Sequence, residues 1–204
     1  MSKKLKSRAK ALGTFIGITL GTAVLVYAAS FILHLVFKVN IVPGSNPDVK
    51  LTGAIVETKE VVPGTEISLS PTVTNVGTEN CYVFIRLNCA TSDGNPIYSF
   101  TSNDVTRVED DVEIEGSWTR VATDDPGELI YAYGSATEMS NLAPDEAVTL
   151  SGTLKLSVGN AVFNTLVGAG TDFSVSVHAC AIGTDTSDVT PSAVYNEYIG
   201  QGGE

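Results

Sequence analysis

Four acidic residues that alternate along one short stretch are the strongest candidates for chemistry in this sequence. The stretch runs from Asp104 to Glu115 and reads DVTRVEDDVEIE. In a single extended strand, a period of two places every second residue on the same face. The four carboxylates that would share one face are those of Glu109, Asp111, Glu113 and Glu115.

These carboxylates are compatible with two roles. Calcium prefers oxygen ligands, so the stretch is a candidate Ca²⁺ site. The alternative is a solvated edge strand, in which like charges protect the sheet against pairing with another chain. We favour the edge strand, because the stretch lacks the spaced ligands of a known calcium-binding loop. No other cofactor is predicted.

The sequence lacks the residue sets on which hydrolytic enzymes depend. A zinc hydrolase needs several ligands at fixed spacing plus a base, whereas this chain has two histidines and no H-E-x-x-H motif. It has no G-x-S-x-G elbow and no phosphate-binding loop. His178 and Cys180 stand two apart on a predicted strand without a third positioning group, and we expect His178 to lie at the surface. We therefore predict no catalytic residue, and a metal-dependent peptidase is the least favoured function.

Charge is distributed very unevenly along the chain. Six of the twelve cationic residues lie at or before Lys38, and all 23 acidic residues lie at or after Asp48. The part of the chain from Val39 onward therefore carries a formal net charge of −17. Such a surface repels nucleic acid and anionic lipid, so we expect no nucleic-acid partner.

The N-terminus has the pattern of a membrane-directed segment. Five basic residues within the first ten precede an apolar run from Ala11 to Phe37. A basic flank followed by an apolar core is typical of a secretory signal or of an N-terminal anchor. The run is also long enough to span a bilayer as a helix, which takes about 20 residues. We assign residues 1–37 to a signal peptide or a transmembrane anchor.

Two outcomes for this segment remain open. Without cleavage, it forms one membrane helix. With cleavage in the region of Ala28, Ala29 and Ser30, whose small side chains suit a signal peptidase, the mature chain begins with an apolar stretch that is rich in branched and aromatic residues. Such a strand can complete the sheet of a neighbouring subunit, or pair within its own domain. The residues of this assembly segment that fall on one phase are Phe31, Leu33, Leu35, Phe37, Val39 and Ile41.

The three cysteines do not form the framework of a disulfide-rich domain. Cys81 and Cys89 are eight residues apart on one predicted strand, so about 26 Å separates them and they cannot pair there. A disulfide from either residue to Cys180 remains open, and small buried thiols are the simpler interpretation for Cys81 and Cys89.

The remainder of the chain reads as a series of short strands. Alternation of apolar and polar residues predicts strands over Glu66–Val76 and Cys81–Leu87, which we expect to form a hairpin that follows the turn Pro63-Gly64. One long bent strand is predicted over residues 105–122, and a short helix between Gly159 and Gly170. Seven or eight strands predict an all-β fold, an antiparallel β-sandwich over residues 48–183. Residues 38–47 are a linker or donor strand, and residues 184–204 a polar, loosely ordered tail.

Several of these motifs together resemble the TasA/camelysin family of secreted Gram-positive proteins. The first are the Pro-Gly turn, the sequence TNVGT and the strand YVFIRL within Val61–Leu87. In the same order as in the family follow SW at Ser117-Trp118, YAY at Tyr131–Tyr133, LAPDEAVTL at Leu142–Leu150 and VSVHACAI at Val175–Ile182. The resemblance implies a jelly-roll-like β-sandwich, export through a SipW-type signal peptidase, and assembly into biofilm fibres.

We therefore expect an exported structural or adhesive protein of the cell surface or biofilm matrix. Its expected partners are other copies of itself or other surface proteins, together with the membrane through its N-terminal segment. The alternative is a membrane-anchored, monomeric binding module whose loops contact another surface protein.

Overall fold

The fold of the described chain is all-β, with sheets that are almost entirely antiparallel. A computed structural model describes residues 33–35, 37–39, 48–53, 59–109 and 112–202. The chain divides into two compact units, Met1–Leu33 and His34–Glu204, and every described residue except Leu33 belongs to the second.

The described residues form seventeen short strands and two helices. The strands in the first half are β1 Leu33–Leu35, β2 Phe37–Val39, β3 Val49–Thr52, β4 Lys59–Val61, β5 Glu66–Leu69, β6 Thr72–Asn75, β7 Cys81–Cys89, β8 Thr91–Ser92, β9 Asn95–Pro96 and β10 Tyr98–Thr101. They are followed by β11 Arg107–Glu109, β12 Val112–Ile114, β13 Trp118–Val121, β14 Glu128–Tyr133, β15 Ala147–Thr149, β16 Gly152–Leu156 and β17 Val175–Gly183. The helices are α1 Asn160–Gly168 and α2 Pro191–Gly200.

The largest sheet has five strands in the order β13-β14-β7-β17-β2. Its central strand β7 is buried on both faces from Cys81 to Leu87. It pairs antiparallel with β14 on one side and with β17 on the other. Strand β2 is the exception, because it lies parallel to β17 at the edge of the sheet.

Two three-stranded sheets, β10-β16-β5 and β15-β6-β3, follow one another with a bend between them. Strands β5 and β6 pair with β16 and β15, and the register continues across the break between them, since Leu69 lies opposite Gly152 and Thr72 opposite Thr149. The backbone N–H of Leu150 donates to the carbonyl of Pro71 at 3.0 Å within the break. The single strand predicted over Glu66–Val76 is therefore two strands. Pro71 has no N–H to donate to a ladder, which favours a bend at this point.

The predicted hairpin between Glu66–Val76 and Cys81–Leu87 is wrong. Strand β6 pairs with β15 and β3, whereas β7 lies in the five-stranded sheet. The buried side chain of Asn75 directs the chain out of β6: its amide donates to the carbonyls of Leu142 at 2.9 Å and Glu79 at 2.8 Å. Its side-chain oxygen accepts from the N–H of Gly77 at 2.9 Å. These contacts turn the chain from one sheet into the other.

Contacts between the five-stranded sheet and the two three-stranded sheets form the main core. The indole N–H of Trp118 on β13 donates to the carbonyl of Thr149 on β15 at 3.0 Å. The rings of Phe100 on β10 and Tyr131 on β14 pack edge to face at 5.2 Å. The indole N–H of the buried Trp118 is hydrogen-bonded in this way, while its ring fills the core.

One of the two helices was predicted from the sequence and the other was not. Helix α1 confirms the helix predicted between Gly159 and Gly170. Helix α2 overturns the loosely ordered tail, because its residues Pro191, Val194, Tyr195 and Tyr198 are buried. Three of them join the apolar residues of β7, β13, β14 and β17 in one cluster. The free energy gained by burying these side chains holds the helix on the sheet.

Candidate functional site

The acidic stretch forms a hairpin, which corrects the single strand predicted over residues 105–122. Strands β11 and β12 pair antiparallel, with Glu109 opposite Val112 and Val108 opposite Glu113. Residues opposite each other share a face of the ribbon, and neighbours along a strand alternate. Positions 109 and 113 therefore fall on opposite faces. Two adjacent acidic residues between the strands favour a reversal of the chain over a continuous strand.

Most of the candidate calcium ligands lie outside what the structure describes. Asp111 and the side chains of Glu109 and Glu113 lie outside the described residues, and Glu115 is exposed after β12. Among the residues that the structure describes, no group of three His, Cys, Asp or Glu side chains is placed to hold a metal ion.

The predicted assembly segment is described in two short pieces. Leu33 and Leu35 belong to β1, and Phe37 and Val39 belong to β2. Phe31, Ile41 and the cleavage region Ala28, Ala29 and Ser30 lie outside the described residues.

Strand β2 lies along the outer edge of β17. The register places Phe37 opposite Val175, Lys38 opposite Ser176 and Val39 opposite Val177. Val175 and Val177 are buried, whereas Ser176 is half-buried. The alternation of β17 therefore matches the alternation of β2, with apolar positions opposite apolar positions and a polar position opposite a polar one.

A polar row crosses the five-stranded sheet at this point, and sequence reasoning missed it. Ser176 lies opposite Lys38 on one side and Asn88 on the other, and Asn88 lies opposite Glu128. One residue from each of β2, β17, β7 and β14 thus stands abreast on one face. The available signal was a polar residue at every second position of two otherwise apolar strands, in FIRLN and VSVHA.

The next row contains a buried cation. Arg86 lies opposite His178, and both residues are at least nine-tenths buried, with 9% and 8% of their surface exposed. One guanidinium nitrogen, Nη1, lies 3.6 Å from Oε1 of Glu128. Burial lowers the pKa of Arg86, but the neighbouring groups of Cys180, Tyr195 and Glu128 outweigh it and the net pKa is raised. Arg86 therefore remains a cation inside the fold.

His178 is a buried neutral side chain, which corrects its predicted position at the surface. Its Nε2 lies 3.1 Å from the hydroxyl of Ser176. Burial, and secondly the charge of Arg86, lower its pKa below the usual 6.5. In the sequence, a histidine that alternates with Ser176 and Cys180 looks the same whether its face of the strand is exposed or covered.

Three buried polar atoms of these rows have no hydrogen-bond partner among the described residues. They are Nε of Arg86, Nδ1 of His178 and Oδ1 of Asn88. Buried polar groups in folded proteins are nearly always paired, so these three atoms mark the polar part of the sheet interior. The acceptor on Asn88 stands in the row that begins at position 38.

Helix α2 packs on the five-stranded sheet next to this polar region. The ring of Tyr195 packs edge to face on Phe84 at 5.3 Å, and the ring of Tyr198 lies 6.4 Å from Phe84. Burial raises the pKa of both tyrosines and of Cys180 beneath them. The thiol of Cys180 therefore stays protonated beside a neutral imidazole, and this arrangement offers no thiolate–imidazolium pair for nucleophilic chemistry.

All three cysteines carry free thiols, so no disulfide joins Cys180 to Cys81 or Cys89. The simpler interpretation of the sequence, buried thiols at Cys81 and Cys89, is confirmed for Cys81, whereas Cys89 is half-buried; Cys180 is also buried.

No helix within the described part of the chain has the length and apolar character needed to cross a membrane. Comparison with known proteins adds no assignment: no protein-family model matches the chain, and no curated protein matches it.

Proposed function

We propose that this chain is an exported structural protein of a Gram-positive cell surface or biofilm matrix, and that its subunits associate by strand addition. The proposal includes a jelly-roll-like β-sandwich and membership of the TasA/camelysin family, which rest on the order of the sequence motifs. The observation that carries the mode of assembly is the parallel pairing of β2 with the outer edge of β17.

The edge of β17 is suited to receive a strand from another copy. An edge strand presents unpaired backbone N–H and C=O groups, which an extended segment can satisfy with main-chain hydrogen bonds. The β2 segment is apolar and precedes the folded domain, so the same segment of a neighbour offers the same backbone and side-chain pattern. Exchange between copies then needs no new interface chemistry, because each contact within one chain is replaced by its equivalent between two chains.

Two single-cysteine variants of the full chain test the exchange. Val39 and Val177 are Cα partners, so Val39→Cys on one copy and Val177→Cys on another are placed for a disulfide when strands are exchanged. We expect a mixture of the two variants to give a disulfide-linked dimer under mild oxidation, together with fibres by electron microscopy. Val39→Cys mixed with Ser99→Cys, an exposed position on β10, is the matched control and gives no specific dimer.

Two results together would overturn strand addition. One is a doubly substituted chain, Val39→Cys with Val177→Cys, that closes only within itself while the mixture gives no dimer. The other is deletion of residues 31–41 with fibres unchanged.

The basic and apolar N-terminal sequence favours a second function, a membrane-anchored binding module that remains monomeric. Intact-mass measurement of the exported protein separates the two functions. Retention of Met1–Ala29 supports the anchor, and a mature chain that begins near Ser30 supports assembly through a free leading strand.

A further inference from the structure

We propose that the row Lys38–Ser176–Asn88–Glu128 sets the register in which a leading strand pairs with β17. The inference concerns the same edge as the proposed function and deepens it. The role of the row in setting the register applies whether the strand belongs to the same chain or to a neighbour. The register proposal and strand exchange can therefore fail separately.

The row has a cationic residue at one end and an acidic residue at the other. Lys38, Ser176, Asn88 and Glu128 are successive Cα partners across β2, β17, β7 and β14. Between the two ends stand a hydroxyl and the buried side-chain oxygen of Asn88, which has no partner among the described residues. Position 38 is therefore in register with residues that carry acceptors, and the formal charges of the row sum to zero, although the carboxylate of Glu128 also lies 3.6 Å from Arg86.

A shift of the strand by two residues along β17 changes those neighbours. The shift keeps the alternation of faces, but it moves position 38 from Ser176 to His178, which lies opposite Arg86. Arg86 offers donors and a fixed positive charge, neutral His178 offers one donor and one acceptor, and both residues are buried. Placing a second cation beside a buried guanidinium is unfavourable, since like charges repel more strongly where water is excluded.

A shift by one residue is excluded by the faces themselves. It reverses every side chain of the strand and places Lys38 on the face of Val175 and Val177, whose exposed fractions are 0% and 1%. Burying an unpaired ammonium group there carries a large desolvation cost. The apolar positions thus select the face of the strand, and the polar row selects among the registers that keep that face.

The rate of disulfide cross-linking between one position on β17 and either of two positions on β2 measures the register directly. In the full chain, Val177→Cys combined with Val39→Cys reports the native register, and Val177→Cys combined with Phe37→Cys reports the two-residue shift. Each pair is made with Lys38, with Lys38→Arg and with Lys38→Val. Val177→Cys alone is the control for pairing with the three native thiols.

We expect the native pair to cross-link at least about tenfold faster than the shifted pair when position 38 is Lys or Arg, a ratio that corresponds to about 1.4 kcal/mol. With Lys38→Val, the preference falls to within about threefold, because the uncharged side chain no longer distinguishes the two rows. An unchanged preference with Lys38→Val overturns the proposal. Whether the linked chains are one or two molecules on a denaturing gel tests strand addition independently: a register preference seen only within single chains supports the polar row and contradicts exchange.

Discussion

Arg86 on β7 and His178 on β17 lie directly opposite each other, so a permanent cation lies beside a buried imidazole. The pair stands in the middle of the largest sheet, one row from the polar residues that meet β2. Its position makes the stability of the sheet, and of the edge that receives β2, sensitive to the protonation of a single side chain.

Acidification is expected to destabilise the fold through His178. Its pKa in the folded chain is lowered from 6.5, first by burial and then by Arg86. Below about pH 6.5 the unfolded chain therefore binds a proton that the folded chain does not, and the free energy of unfolding decreases as the pH falls. The stabilisation is fully present above pH 6.5 and is lost as the pH falls toward the folded-state pKa. Chemical denaturation between pH 7.5 and pH 5 measures this slope.

The matched variant for this measurement is His178→Gln, which keeps a polar side chain and does not titrate. Its free energy of unfolding should fall less steeply over the same range, since the contributions of the carboxylates are common to both proteins. Parallel slopes for the two proteins would show that His178 titrates alike in the folded and unfolded chains.

Local signals predicted the elements that depend on local chemistry. The Pro63-Gly64 turn forms with Gly64 at a φ of +84°, a conformation that suits glycine, and strand β7 covers the predicted Cys81–Leu87. Helix α1 also falls where an uncharged stretch between two glycines predicted it. In each case the residues that determine the structure are neighbours in sequence.

Elements that depend on distant residues were not predictable in this way. The chain leaves β6 because Asn75 bonds to Leu142, which is 67 positions away, and no local pattern distinguishes this asparagine from one in a hairpin turn. The polar tail folds as α2 only because the apolar residues of β7 and β17 lie beneath it. The candidate site has the same origin: Lys38, Ser176, Asn88 and Glu128 meet only after four strands have been placed in register.

Docking of α2 is expected to depend on Val194. The side chain has no exposed surface and belongs to the cluster beneath the helix. Val194→Ala removes two methyl groups and leaves a cavity, so we expect a loss of about 1–3 kcal/mol in the free energy of unfolding. Denaturant titration followed by circular dichroism measures the loss.

The control on the same helix is Ile199→Ala, where 43% of the residue is exposed. This change should stay within about 0.5 kcal/mol of the parent chain, as is usual for surface substitutions. Equal effects of the two substitutions would contradict the packing of α2 against the sheet through Val194.

The native thiols are expected to be unreactive until the chain unfolds. Burial is the main cause that raises the pKa of Cys81 and of Cys89 to about 11, and it also raises the pKa of Cys180. At pH 8 few thiolates are therefore present, and the reaction with an aromatic disulfide reagent should be slow in the folded protein and rapid in guanidinium chloride, with three thiols released. Ser192→Cys on the exposed side of α2 provides a thiol that reacts at once under native conditions and calibrates the assay. Fewer than three thiols in the denatured chain would reveal a disulfide, and rapid reaction of the folded parent chain would contradict the protection of the native thiols by burial.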